Sequence, residues 1–264
     1  MNRIKVKPDF FPNFEGKLTY TNGSDAKTTS FEEKEDGISN ELIMIFKDEN
    51  DTQKVLKLNG FDYKNSKFIS SIPNPFFLLL NIAIDSCNDA NGLINNFKKS
   101  SNLIGEKTYF FELDENYTSE IYNSFLSKKI TSINSIINSL EIFINQKIPK
   151  DFIFVKKLNE KEIRLNKTKI EATLSFKEKI LKLLPEIFPE IDFNTISNEI
   201  NLIFEVYNLR KEIIHMKTGS NSLFDQYYEV MGKILNAKIE PYILSSIKFI
   251  NLINTDLVEF VNTK

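Results

Sequence analysis

Residues 126–149 read LSKKITSINSIINSLEIFINQKIP. Leu126, Ile130, Ile133, Ile137, Leu140 and Ile144 follow one another at intervals of four, three, four, three and four, which is the period of one face of an α-helix. A helix over about 121–148, stopped near Pro149, must lay that stripe against other apolar faces. Downstream the chain supplies them. LSFKEKILKLLP (174–185) opens with Ser175 and Glu178 three residues on, a capping-box pattern, ahead of Ile180, Leu181 and Leu184. Pro185 and Pro189 are expected to end that helix. A third helix is predicted over about 195–217, stopping before Gly219, and residues 223–262 read as two helices divided near Pro241.

Upstream the pattern changes. GKLTYTNGSD carries an Asn-Gly turn signal, and ELIMIF and KVLKLNGF flank the polar stretch KDENDTQ, the pattern of a small β-rich meander. Two close prolines in SIPNPFF break the chain. A helix over 76–98 and a short strand within TYFFEL (108–113) follow. The expected fold class is therefore α+β, with a β-rich or mixed region over 1–113 and an all-α helical bundle over 114–264.

Composition narrows the function classes. Of the 264 residues 41% are hydrophobic and 27% charged, the balance of a chain that buries a core of its own. Lys and Arg number 34 against 36 Asp and Glu, so the net charge of -2 gives no global field for nucleic acid. Any RNA contact has to rest on a local basic patch. Cys87 is the one cysteine and His215 the one histidine, which excludes an intramolecular disulfide and a soft-ligand metal site within one protomer. No cofactor is implied. The N-terminus lacks the apolar core of a signal peptide, and the longest apolar run, FFLLLNIAI (76–84), is far short of the ~20 residues that span a bilayer. The expectation is a cytoplasmic protein with no membrane partner.

The histidine sits in NLRKEIIHMK (208–217). On an ideal helix with Ile203 at zero, Tyr207 and Ile214 fall within roughly 40°, and Leu202, Val206, Leu209 and Ile213 fill the adjoining arc. Arg210 lands inside this apolar arc, at about -20°. A permanently charged guanidinium there requires a carboxylate, a wet interface or an anionic ligand. Glu141, bordering the stripe of the 121–148 helix, is the first candidate carboxylate. His215 lies at roughly 120°, beside Asn208, with Glu205 and Glu212 beyond. A histidine in a last helical turn is either a cap on the negative end of the helix dipole or a proton carrier near neutral pH. Arg210 and His215 are about 140° and ~7.5 Å apart along the helix, so a single helix does not converge them readily.

LRKEIIH (209–215) resembles the Arg-x4-His signature of the HEPN superfamily (higher eukaryotes and prokaryotes nucleotide-binding domain). SINSIINSLEIFINQKIP (132–149), with its Glu–aromatic–Asn run, is similar to the long first helix of such domains. LSFKEKILKLLP resembles the next helix, and IFEVYNLRKEIIHMKTG (203–219) the motif helix. The resemblance covers roughly 115–262. It implies a metal-independent endoribonuclease, a toxin or antiphage-defence effector, working as a homodimer whose facing motif helices surround one RNA cleft. His215 would then be general acid or base and Arg210 would hold the scissile phosphate, with Asn208, Lys211 and Glu141 supporting catalysis or RNA binding. An antitoxin or regulatory protein is an implied partner. Lys211 departs from the small polar residue often found after the arginine, which keeps a non-catalytic module binding RNA, nucleotide or protein as the alternative.

Overall fold

The computed structural model describes residues 4–6, 19–20, 28–30, 42–47, 53–71, 73–158, 161–215 and 223–260. The described chain is mostly helical with short strands. It divides into two units, Lys7–Asn74 and a helical unit of Met1–Val6 with Pro75–Lys264. The boundary expected at 113/114 thus falls inside the helical unit. The helix before it packs along the next one, and a pair of helices sharing one core does not separate into two domains.

Strand β1 (Ile4–Val6) belongs to the helical unit. In the other unit β2 (Thr19–Tyr20), β3 (Thr28–Ser30), β4 (Leu42–Lys47), β5 (Gln53–Tyr63) and β6 (Ser66–Ser71) form one antiparallel sheet in sequential order. This is the meander expected around ELIMIF and KVLKLNGF; the Asn-Gly turn signal lies outside the described residues. The β5–β6 turn is two residues, Lys64 (φ 47°) and Asn65 (φ 63°). Both are left-handed, the type I′ backbone that matches strand twist.

The helical unit begins with α1 (Pro75–Ile94) and a hairpin, β7 (Ser101–Leu103) with β8 (Tyr109–Phe111). Then comes α2 (Glu120–Lys147), the helix whose stripe opened the sequence. The stripe is buried apart from half-buried Ile130, but so are Ser132, Ile136, Ser139 and Phe143 on other sides of the helix. Helix α2 is therefore central, and α1 runs antiparallel along it. Ser132 Oγ donates to the Ala83 carbonyl and Ser139 Oγ to the Phe76 carbonyl, each at 2.7 Å. The equal seven-residue spacing on both helices fixes the register, and small side chains let the backbones approach.

A second hairpin, β9 (Phe154–Leu158) with β10 (Lys161–Leu165), follows α2 and was not foreseen. Phe154 and Leu165 plant it in a small core with Ile148, Ile170, Leu174 and Leu183. After α3 (Lys167–Thr173), α4 (Phe176–Glu178) starts on the foreseen capping box. Glu178 also pairs with Lys156 of β9 at 2.8 Å. The helix continues as a π turn over Lys179–Leu183 and then α5 (Leu184–Ile187), so Pro185 sits within it rather than ending it. The N–H of Leu184 bonds to the Lys179 carbonyl, and the widened turn relieves the clash that a proline ring makes with the preceding turn.

A 3₁₀ turn (Phe193–Ile196) leads into α6 (Ser197–Ile214), followed by α7 (Leu223–Asn236) and α8 (Ile239–Ile253). The division between α7 and α8 falls at Ala237–Lys238, three residues before Pro241. Pro241 is third in α8, where its missing N–H was unpaired in any case. Strand β11 (Val258–Phe260) closes the unit by pairing antiparallel with β1. Asn81 of α1 grips the same strand: its Oδ1 accepts from the Ile4 N–H and its Nδ2 donates to the Ile4 carbonyl. Among the described residues no helix is long and apolar enough to cross a membrane.

Lys129 of α2 is buried, and its ammonium donates to the carbonyls of Ile234, Leu235 and Ala237 at 2.9, 2.6 and 2.9 Å. These groups at the end of α7 have few helical donors, and the dipole there favours a cation. Burial holds the ammonium below its ordinary value, and the Cys87 thiol opposes that shift. Replacing Lys129 with Met keeps the bulk and orphans the carbonyls. Denaturant titration is expected to show a loss of about 3 kcal/mol.

Acid acts at Glu178. The Lys156 ammonium and the Ser175 N–H lower its carboxyl from 4.5 to about 2. A depressed carboxyl contributes stability that is present above pH 4.5 and lost as pH falls through 2. Denaturation midpoints of the native chain should therefore fall across that window more steeply than those of Glu178→Gln, with equal slopes counting against the assignment.

Candidate functional site

Helix α6 carries the Arg–His pair. Its C-cap is His215 (φ -101°, ψ 18°), whose N–H bonds to the Lys211 carbonyl at 2.9 Å. The helix thus stops short of the expected residue 217, and His215 stands at its end with an exposed side chain. Ile200, Ile203, Val206 and Leu209 are buried, giving the core-facing side. Phe176 stacks on Tyr207 with centroids 4.8 Å apart. Ile214, which the helical projection puts beside Arg210, is 53% exposed. The apolar arc is core over the first turns of α6 and surface at its end.

Arg210 is half-buried. Its Nη2 donates to Asn138 Oδ1 of α2 at 3.1 Å, while its Nε is buried with no partner. Among the described residues no carboxylate pairs with it, so the expected Arg210–Glu141 ion pair is not formed. Glu141 instead influences Lys179. That buried ammonium donates to Asn145 Oδ1 at 2.9 Å and to the Glu171 carbonyl at 3.1 Å. Burial lowers its pKa, and Glu141 and Glu171 oppose the shift. Glu141 therefore serves a neighbouring cation, and Arg210 is left with a neutral amide.

These groups follow a rule of spacing. Thr131, Asn134, Asn138, Glu141 and Asn145 recur at three and four residues along α2, and all are half-buried. They form a polar seam beside the apolar stripe, legible in the sequence but not singled out there. Asn134 Oδ1 is a second buried seam atom without a partner. A guanidinium whose one partner is a neutral amide has no paired countercharge, and half-burial weakens screening. Such a group attracts anions.

The other expected site residues are dispersed. Lys211 is exposed, with Nζ 5.9 Å from the centroid of the Tyr207 ring. Asn208 faces away from the seam and lines a cleft of about 510 Å³ between α6 and the α7–α8 junction. Glu205 and Glu212 share its wall on α6; Lys233, Lys238 and Tyr242 stand opposite. Tyr242 donates its hydroxyl to Glu205 Oε1, and Lys233 pairs with Glu212 at 2.8 Å. Neither Arg210 nor His215 lines this cleft. Among the described residues no group of three His, Cys, Asp or Glu side chains is placed to hold a metal ion.

No protein-family model, no curated protein and no solved structure matches this chain.

The seam makes a direct prediction. Asn138→Ala leaves Arg210 without its acceptor and should lower stability by about 1–3 kcal/mol in chemical denaturation. Asn138→Asp supplies the missing countercharge and is expected to restore or exceed the native value at neutral pH.

Proposed function

We propose that the helical unit is a metal-independent endoribonuclease of the HEPN type, a toxin or antiphage-defence effector that cuts RNA across a homodimer interface. The observation that carries this reading is Arg210. It is a half-buried guanidinium with one neutral partner and an idle Nε, on the same helix as the one histidine. Exposed Ile214 beside it, and Leu181 at 57% exposure, give apolar surface of the kind that a second copy covers.

In this mechanism the His215 imidazole takes the proton of the attacking 2′-hydroxyl. The 2′-oxygen bonds to phosphorus as the bond to the 5′-oxygen breaks. The second protomer's His215 gives that leaving oxygen a proton. Arg210 holds the non-bridging oxygens as charge grows on them. Two protomers supply the two imidazoles that one chain lacks, and they remove the difficulty of the ~140° between Arg210 and His215 on a single helix. Lys211 adds positive charge at the rim, and an antitoxin or regulatory protein fits the same face. The Lys211 position favours a second reading, a non-catalytic module that binds RNA, nucleotide or a partner protein through Arg210.

Purified protein should cleave RNA in EDTA, with a bell-shaped pH profile from the two imidazoles. His215→Ala should abolish cleavage and leave thermal stability unchanged, because the side chain is exposed. Arg210→Ala should slow it by about 10²-fold or more. Undiminished cleavage by His215→Ala would falsify the catalytic reading. RNA binding lost in Arg210→Ala, with no cleavage by the native chain, selects the binding module.

A further inference from the structure

The cleft between α6 and the α7–α8 junction has its own chemistry, separate from Arg210 and His215. One wall is acidic, with Glu205 and Glu212 on either side of Asn208; the other is basic, with Lys233 and Lys238. Leu209 and Pro241 contribute apolar floor. The four charges cancel. A phosphate entering here meets two carboxylates, and an amine meets two ammonium groups. The cleft therefore suits a neutral group with hydrogen-bond donors on one edge and acceptors on the other.

The individual residues narrow this further. Glu212 and Lys233 neutralise each other, and Lys233 also pairs with Glu229 at 2.8 Å. Glu205 and Lys238 remain. The hydroxyl of Tyr242, a residue only 4% exposed, holds Oε1 of Glu205 and so orients the carboxylate. Burial first, and then the carboxylate itself, raise the Tyr242 pKa and keep the hydroxyl a donor. A carboxylate has about four lone-pair sites, so Glu205 still accepts. Among the described residues the Lys238 ammonium has no hydrogen-bond or ion-pair partner. Lys238 is the extended N-cap of α8 and Tyr242 follows within its first turn, and both line the cleft.

We infer that this cleft is a subsite for a guanine base. N1–H and the N2 amino group donate to Glu205, O6 and N7 accept from Lys238, and the ring lies over Leu209 and Pro241. Adenine and uracil have no two adjacent donors for a carboxylate, and cytosine offers one amino group. The base can come from a free nucleotide or from an RNA strand. The subsite depends on neither Arg210 nor His215, so its failure and that of the cleavage mechanism are separable.

Calorimetric titration of the full chain with GMP, AMP, CMP and UMP at one salt concentration tests it. GMP is expected to bind about tenfold more tightly than the others. Glu205→Gln and the surface change Lys238→Ala should each erase that preference while circular dichroism stays native, and His215→Ala should keep it. A hexaribonucleotide with a single guanosine, run beside GMP on His215→Ala, identifies the source: tighter oligonucleotide binding means RNA, tighter GMP binding a free nucleotide. Equal affinity for all four mononucleotides, or a preference that survives both Glu205→Gln and Lys238→Ala, overturns the subsite.

Discussion

Helix α2 is buried on more than one side, so the polar groups it carries inward find partners there, with Asn134 Oδ1 the exception. That constraint organises the helical unit. Ser132 and Ser139 give their hydroxyl protons to α1 carbonyls, which sets the distance and register of the first helix pair. Lys129 gives its protons to the end of α7, which sets where α8 can begin. The same device recurs where Lys167 donates to the Ile148 carbonyl and Lys179 to that of Glu171. An ammonium has three donors and the end of a helix has several idle acceptors, so one buried lysine can close a helix that no glycine closes. Desolvating the charge is costly, and at Lys129 three carbonyls offset it, while Lys179 has one carbonyl and the Asn145 amide oxygen.

Helix α6 meets three environments. Its buried face continues the core, one flank borders the polar seam of α2 and the other borders the cleft. The α7–α8 junction that walls the cleft is positioned by Lys129, a residue of α2. Both flanks of α6 therefore depend on the central helix, one through Asn138 and the other through that lysine.

Much of this was legible in the sequence where a period or a cap is a local property. The α2 stripe, the Ser175–Glu178 box and the β4–β5 hairpin all depend on neighbours within a few residues. Arg210 also stood out, because an arginine in an apolar arc conflicts with its surroundings. Its partner did not. Asn138 and Glu141 border the same face of α2, and choosing between them requires knowing that Lys179 reaches the Glu141 side. Lys129 was hidden for the same reason, since a lysine in LSKKIT reads as a solvated charge until α7 ends against it. Pro185 misled because a π turn, which has no simple sequence signal, lets the helix run past it.

The β1–β11 pair bears on how the chain is made. Ile4 is synthesised long before its strand partner Phe260. Closing so long a loop comes late, so the edge of β1 that faces β11 stays unpaired until Val258–Phe260 is made. Asn81 is made much earlier and bonds to both backbone groups of Ile4. Those bonds coexist with the β1–β11 ladder, so Asn81 anchors the strand by its other edge and leaves free the one that β11 takes.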